Sequence, residues 1–179
     1  MKLIILDRDG VINHDSDAYI KSEEEWIPID GSLEAIARLN HSGYTVVVAS
    51  NQSGLARGYF DIETLSSMHR KMDDMLLKVG GQVDAVFYCP HGPDDGCGCR
   101  KPKPGMLLDI GQRFNVPLKD VTFIGDSIAD IKAASNANAQ SMLVRTGKGV
   151  KAEKILKAEG KDTIPVYDNL AAAVIAILQ

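Results

Sequence analysis

No apolar run in this 179-residue chain approaches the roughly 18 residues needed to cross a bilayer. The opening apolar stretch is also far too short for a secretory leader. A cytoplasmic protein with no membrane partner is expected. Cysteine is nearly absent as well: the three present, Cys89, Cys97 and Cys99, fall within one short segment and cannot all pair, which excludes a disulfide scaffold. There is no basic surplus. With 20 Lys and Arg against 24 Asp and Glu, the net charge is -4, which excludes a general nucleic-acid footprint and leaves only Arg100-Lys101-Pro102-Lys103 as a local basic pocket. Repeats, low-complexity tracts and linker-like segments are missing too. One domain over residues 1–179, acting as a monomer, is the expectation.

What is present is alternation. Lys2 to Leu6, Tyr44 to Ala49, Ala85 to Tyr88, Val121 to Ile124 and Ser141 to Val144 read as buried strands. Between and after them lie helical patterns: Ser32 to Leu39, a helix capped by Asp61 and ended by Gly80-Gly81, Gly105 to Phe114, Ser127 to Ala137, Val150 to Ala158 and Asn169 to Leu178. Met68, Met72 and Met75 in the second helix read as core packing. Such alternation predicts an α/β, doubly wound, mostly parallel sheet with helices on both faces, in which ligands bind beyond the carboxyl ends of the strands.

Each predicted strand exit carries residues suited to phosphate or cations. The first is Asp7-Arg8-Asp9-Gly10. Alternate residues of an extended segment share a face, so Asp7 and Asp9 can enter one crevice, one as nucleophile and metal ligand, the other as proton donor. The plainer alternative is a strand-ending turn. Ser50 and the following Asn51, Gln52 and Ser53 offer hydroxyl, amide and backbone donors at the second exit, against a turn or cap role. Lys101, in the rigid Lys101-Pro102-Lys103-Pro104 setting, offers positive charge for a transferring phosphoryl group, against a solvated lysine. Asp126 and Asp130 add carboxylates at the fourth exit, against capping and solvent roles.

The loop between the third strand and the next helix holds a further set. Cys89, His91, Cys97 and Cys99 supply three thiolates and one imidazole, a closed tetrahedral donor set suited to structural zinc; free thiols beside a surface histidine are the alternative.

Together the four exits resemble, in order, the four motifs of the haloacid dehalogenase superfamily of phosphohydrolases. The resemblance implies a Rossmann-like fold with a small zinc-binding loop. It makes Asp7 the nucleophile, Asp9 the general acid/base, Ser50 and Lys101 phosphoryl stabilisers, and Asp7, Asp9 and Asp126 the magnesium site, with Asp130 either a ligand or a support. Tyr88-Cys89-Pro90-His91, Cys97-Gly98-Cys99-Arg100-Lys101-Pro102 and Pro104-Gly105-Met106 are similar to the zinc-containing heptose bisphosphate and histidinol phosphate phosphatases. Asn51 to Gly58 and Pro104-Gly105-Met106 resemble the heptose branch, whose members serve lipopolysaccharide or surface-glycan precursors. The histidinol phosphate branch is the alternative.

The resemblance further implies a sugar phosphate substrate contacted by Asp15 or Ser16 and by Arg100, with Asn51, Gln52, Ser53 and Arg57 alongside. A bisphosphate needs a second cationic contact, for which Arg57, Arg100 and Lys103 are the candidates. A catalytically silent phosphosugar-binding protein and a polynucleotide end phosphatase are disfavoured, the first because both Asp7 and Asp9 are present, the second by the acidic balance. His14, His41 and His69 show no partner pattern and receive no role. Trp26, in the acidic segment after the first strand, reads as a packed side chain or a flank of the substrate.

Overall fold

The computed structural model describes residues 1–179. Six strands form one parallel sheet: β1 (Lys2–Leu6), β2 (Tyr44–Asn51), β3 (Ala85–Cys89), β4 (Thr122–Gly125), β5 (Gln140–Val144) and β6 (Val166–Tyr167). Their order is β3-β2-β1-β4-β5-β6. Chain order reverses beside β1, between β2 and β4, which is where a doubly wound sheet opens a crevice.

Alternation in the strands feeds two cores. Ile4, Leu6, Val46, Val48, Ile124 and Val144 face α1 (Ser32–His41), α2 (Ile62–Lys78) and α6 (Leu170–Ile177). Leu3, Ile5, Val47, Ala49 and Phe123 face α3 (Gly105–Phe114) and α4 (Ile128–Asn136), and Leu143 extends that side to α5 (Gly149–Ala158). Burying an aliphatic side chain of this kind contributes roughly 1.5–3 kcal/mol over leaving it exposed. A one-residue slip of β1 would exchange the side chains between two differently shaped cores, so packing fixes its register, with Ile4 opposite Val46 and Leu6 opposite Val48.

Caps set the helix starts. Asp61 accepts the Thr64 N–H at 2.8 Å to open α2, and Ser127 and Asp130 form a reciprocal capping box at α4. The expected elements are all present, with small changes of bounds. β2 runs two residues beyond Ala49 because Ser50 and Asn51 pair with Tyr88 and Cys89 of β3. The two-residue β6 was not expected; it is too short to carry a period. Trp26 is fully buried in the first core, which supports its reading as a packed side chain. No helix is long and apolar enough to cross a membrane.

Candidate active site

β1, β2 and β4 deliver their exit residues to one crevice. It is a cavity of about 480 Å³ whose lining includes Asp7, Asp9, Asn51, Gln52, Ser53, Lys101, Asp126 and Asp130. Gly10 is required there: its φ is +86°, and a Cβ would lie 2.2 Å from Asp126 Oδ2, so only glycine lets the first exit turn against the fourth.

Lys101 is the hub. Its ammonium is 2.9 Å from Asp7 Oδ1 and 2.7 Å from Asp130 Oδ1, and it donates to the Ala49 carbonyl at 2.9 Å. Two carboxylates and one carbonyl thus surround this single buried charge. Burial alone would lower its pKa, but Asp130 and then Asp7 outweigh that and raise it, so Lys101 stays charged. Asn51 fixes the main chain beneath it, accepting the Lys101 N–H at 3.0 Å and donating to its carbonyl at 3.1 Å.

Asp130 is engaged on both oxygens. Oδ1 meets Lys101, while Oδ2 accepts from the N–H groups of Asp126 and Ser127 at 3.2 and 3.0 Å and from Ser127 Oγ at 2.7 Å. Asp7 uses Oδ1 for Lys101 and for the Arg8 N–H at 2.7 Å. Asp126 Oδ2 accepts the Lys148 N–H at 2.8 Å. One oxygen of Asp7 and one of Asp126 therefore carry no protein hydrogen bond.

Ligand oxygens of Asp7, Asp126 and Asp130 lie within 4.8 Å of one another and all three residues are buried. Three carboxylates face one ammonium. Burial, and then repulsion from Asp130, push Asp7 well above the usual carboxylate range and Asp126 up to about 7. Such surplus negative charge beside free carboxylate oxygens fits a hard divalent cation with oxygen ligands.

Asp9 is held differently. Arg8 forks onto it, with Nε and Nη2 at 3.1 and 2.8 Å from Oδ1. Asn13 donates to Oδ1 at 2.8 Å and Gln52 to Oδ2 at 2.9 Å. Burial acts to raise this pKa, but the Arg8 charge and these hydrogen bonds prevail and hold it below the usual range. Gln52 also donates to Ser50 Oγ at 2.8 Å, leaving the Ser50 hydroxyl proton free for a ligand.

The rim is assembled from four loops. Asp15, Ser16, Tyr19, Arg100, Ser127 and Lys148 all line the cavity, and Lys148 Nζ pairs with Asp15 at 3.2 Å. Arg100 donates to the His91 carbonyl at 3.3 Å. Two of the expected cations do not line the cavity themselves: Arg57 lies over the ring of the lining residue Tyr19, 5.9 Å from its centroid, and Lys103 donates to the Cys97 carbonyl. Lys148 was missed by sequence reasoning. Its signal is Arg145-Thr146-Gly147-Lys148-Gly149, a glycine-flanked basic run directly after β5.

Cys89, His91, Cys97 and Cys99 converge in the loop leading into Arg100 and Lys101. Cys89 Sγ is 3.7 Å from Cys97 Sγ and 3.6 Å from His91 Nδ1, and Cys99 Sγ is 3.1 Å from Cys89 Sγ and 3.4 Å from His91 Nδ1. A tetrahedral ion with thiolate bonds of about 2.3 Å has donor separations near 3.8 Å, close to most of these distances. The cysteines are free thiols, none in a disulfide. Burial and hydrogen bonding push Cys89 up to about 12; for Cys97 burial is outweighed by the Arg100 N–H and the other thiols, which bring it down to about 6.

This fold, with carboxylates at the β1 and β4 exits around a buried lysine, defines a haloacid dehalogenase-like hydrolase, and residues 98–173 match the HAD-hydrolase-like family model. The chain is 55% identical over 177 residues to the D-glycero-beta-D-manno-heptose-1,7-bisphosphate 7-phosphatase of Pseudomonas aeruginosa, covering 99% of this chain and 98% of that protein. The crystal structure of D,D-heptose 1,7-bisphosphate phosphatase from Bordetella bronchiseptica, complexed with magnesium and phosphate, superposes with a TM-score of 0.95 at 54% identity, covering 100% and 99% of the two chains. The Burkholderia thailandensis counterpart gives a TM-score of 0.78 at 43% identity, with the same coverage. The chain belongs to the heptose 1,7-bisphosphate 7-phosphatase family.

Proposed function

We propose that this protein is a magnesium-dependent phosphatase that removes the 7-phosphate of D-glycero-D-manno-heptose 1,7-bisphosphate, with the β anomer preferred, in the supply of heptose for lipopolysaccharide or surface glycans. The observation that carries the reaction is Asp7, a buried carboxylate with one unengaged oxygen at a site where Lys101 and Asp126 meet. The substrate follows from relatives more than half identical across nearly the whole chain, whose names specify the β anomer.

Magnesium, held by Asp7, Asp126 and the Asp9 carbonyl, would supply charge neutralisation that lets an anionic nucleophile meet a phosphate. Asp7 attacks phosphorus in line and becomes an aspartyl phosphate while the sugar oxygen leaves. Lys101 and the Ser50 hydroxyl steady the peripheral oxygens from fixed positions, lowering the barrier without reorganisation. Asp9 protonates the departing sugar oxygen, then takes a proton from the water that cleaves the aspartyl phosphate. Arg8 favours the ionised form needed for the second half; an anionic substrate arriving beside Asp9 favours proton uptake for the first.

Arg100 and Lys148 are the cations placed to meet the second phosphate. Cys89, His91, Cys97 and Cys99 hold one structural zinc, all four positions being filled by protein with none left for water. Phosphorus NMR of the reaction tests the regiochemistry: loss of the 7-phosphate signal with retention of the 1-phosphate is expected, and release of the anomeric phosphate would overturn the reading.

A further inference from the structure

One buried cation acts on the reaction above only through Asp9, and its own support comes from a distant helix. Arg8 is fully buried, and while its Nε and Nη2 fork onto Asp9, its Nη1 faces His69 Nε2 at 3.4 Å and Met68 Sδ at 3.8 Å. His69 lies in the middle of α2, 61 residues away in sequence. A guanidinium only donates, so the contact assigns His69 the tautomer with its lone pair on Nε2 and its proton on Nδ1. The Arg8 main chain is equally fixed, because its carbonyl accepts the N–H groups of Val11, Ile12 and Asn13 at 3.2, 2.8 and 3.2 Å.

We propose that His69 is a positioning residue which, through Arg8, fixes the orientation of the Asp9 carboxylate for proton exchange with the substrate oxygen. The inference rests on the reading of Asp9 as general acid/base. The Arg8 fork can hold Asp9 in one orientation only while its third nitrogen is also held. Without an acceptor at His69, Nη1 is left facing a thioether, and the guanidinium rotates to recover a partner. Asp9 moves with it. The same carboxylate is tied through Gln52 to Ser50, so its orientation is continuous with a group expected to hold the phosphoryl oxygens.

The test separates proton transfer from general damage by the choice of leaving group. A sugar oxygen must be protonated as it departs, whereas 4-nitrophenolate leaves as a stable anion and needs no acid. His69→Leu removes the acceptor; His69→Asn keeps an amide too short to reach Arg8; His69→Gln places an amide oxygen where Nε2 stands. The expected result for Leu and Asn is a loss of about 10- to 100-fold in kcat on the heptose bisphosphate, less than the roughly 10²–10⁴-fold that acid–base catalysis supplies in full, because Asp9 is misplaced and not removed. KM and the single-turnover burst of 4-nitrophenolate from 4-nitrophenyl phosphate should be unchanged, and Gln should restore most of kcat.

Equal losses on both substrates would mean that His69 only supports the fold. Unchanged kcat in folded Leu and Asn variants, or no rescue by Gln, would also overturn the proposal. If the wild-type enzyme turns over histidinol phosphate in place of the heptose bisphosphate, the substrate reading fails, and the same comparison is made with that alkyl phosphate, so the two failures are distinguishable.

Discussion

Asp7 and Asp126 sit among more negative charge than the protein itself balances, with Lys101 the single ammonium between three buried carboxylates. Asp7→Asn is therefore expected to separate function from stability. Turnover should fall by on the order of 10³-fold or more, since an amide cannot attack phosphorus, while the metal-free variant should melt at or above the wild-type temperature because one buried charge is gone. Phosphate release and thermal melts together check this; near-wild-type turnover would remove Asp7 as nucleophile. The acidic and hydroxyl groups were legible because strand ends announce them. Arg8 was not: a charged residue beside an apolar strand reads as solvated, and only the α2 packing shows it buried with His69. Asp130 was left open by the sequence; it contacts Lys101 and the Ser127 capping box and also stands among the carboxylates that could hold a metal ion.

Two elements reach the site from a distance. α2 does so through His69, which burial, then the Arg8 charge, depress to about 4 despite the opposing pull of Asp9. A histidine that stays neutral in the fold but protonates near 6.5 when unfolded gives stability that is complete above that pH and is lost as pH falls towards 4. The cost is up to ~3 kcal/mol at about 1.4 kcal/mol per pH unit. Denaturant midpoints for His69→Gln between pH 7 and 4 should show a flatter acid decline than wild type; parallel curves would contradict the assignment. The Cys89 to Lys103 loop acts through its metal-type donors. Cys97→Ser should lower zinc content by elemental analysis and reduce kcat several-fold by loosening the approach to Lys101, with magnesium still required. A never-chelated wild-type protein with full activity and no zinc would refute the structural role. Strand existence was legible from β-rich apolar runs, but the last two residues of β2 depend on pairing with β3 and the two of β6 on pairing with β5, information that no local pattern holds.

At the scale of the molecule, the parallel order places the exits of β1, β2 and β4 together at the reversal of strand order, and the motif spacing along the chain becomes one crevice. Alternation foretold the doubly wound sheet and its exits, but not the strand order that brings these three together. The rim was not foretold either, because loop folding decides it: Arg57 lies over Tyr19 without lining the cavity itself, while Lys148, from the exit of β5, closes the wall beside Asp15. Substrate choice is read from the ratio of kcat/KM values for D-glycero-β-D-manno-heptose 1,7-bisphosphate and histidinol phosphate with magnesium present. A ratio of about 100 or more in favour of the bisphosphate is expected, since the monophosphate leaves Arg100 and Lys148 without the second phosphate they are placed to meet. A ratio below one would contradict it.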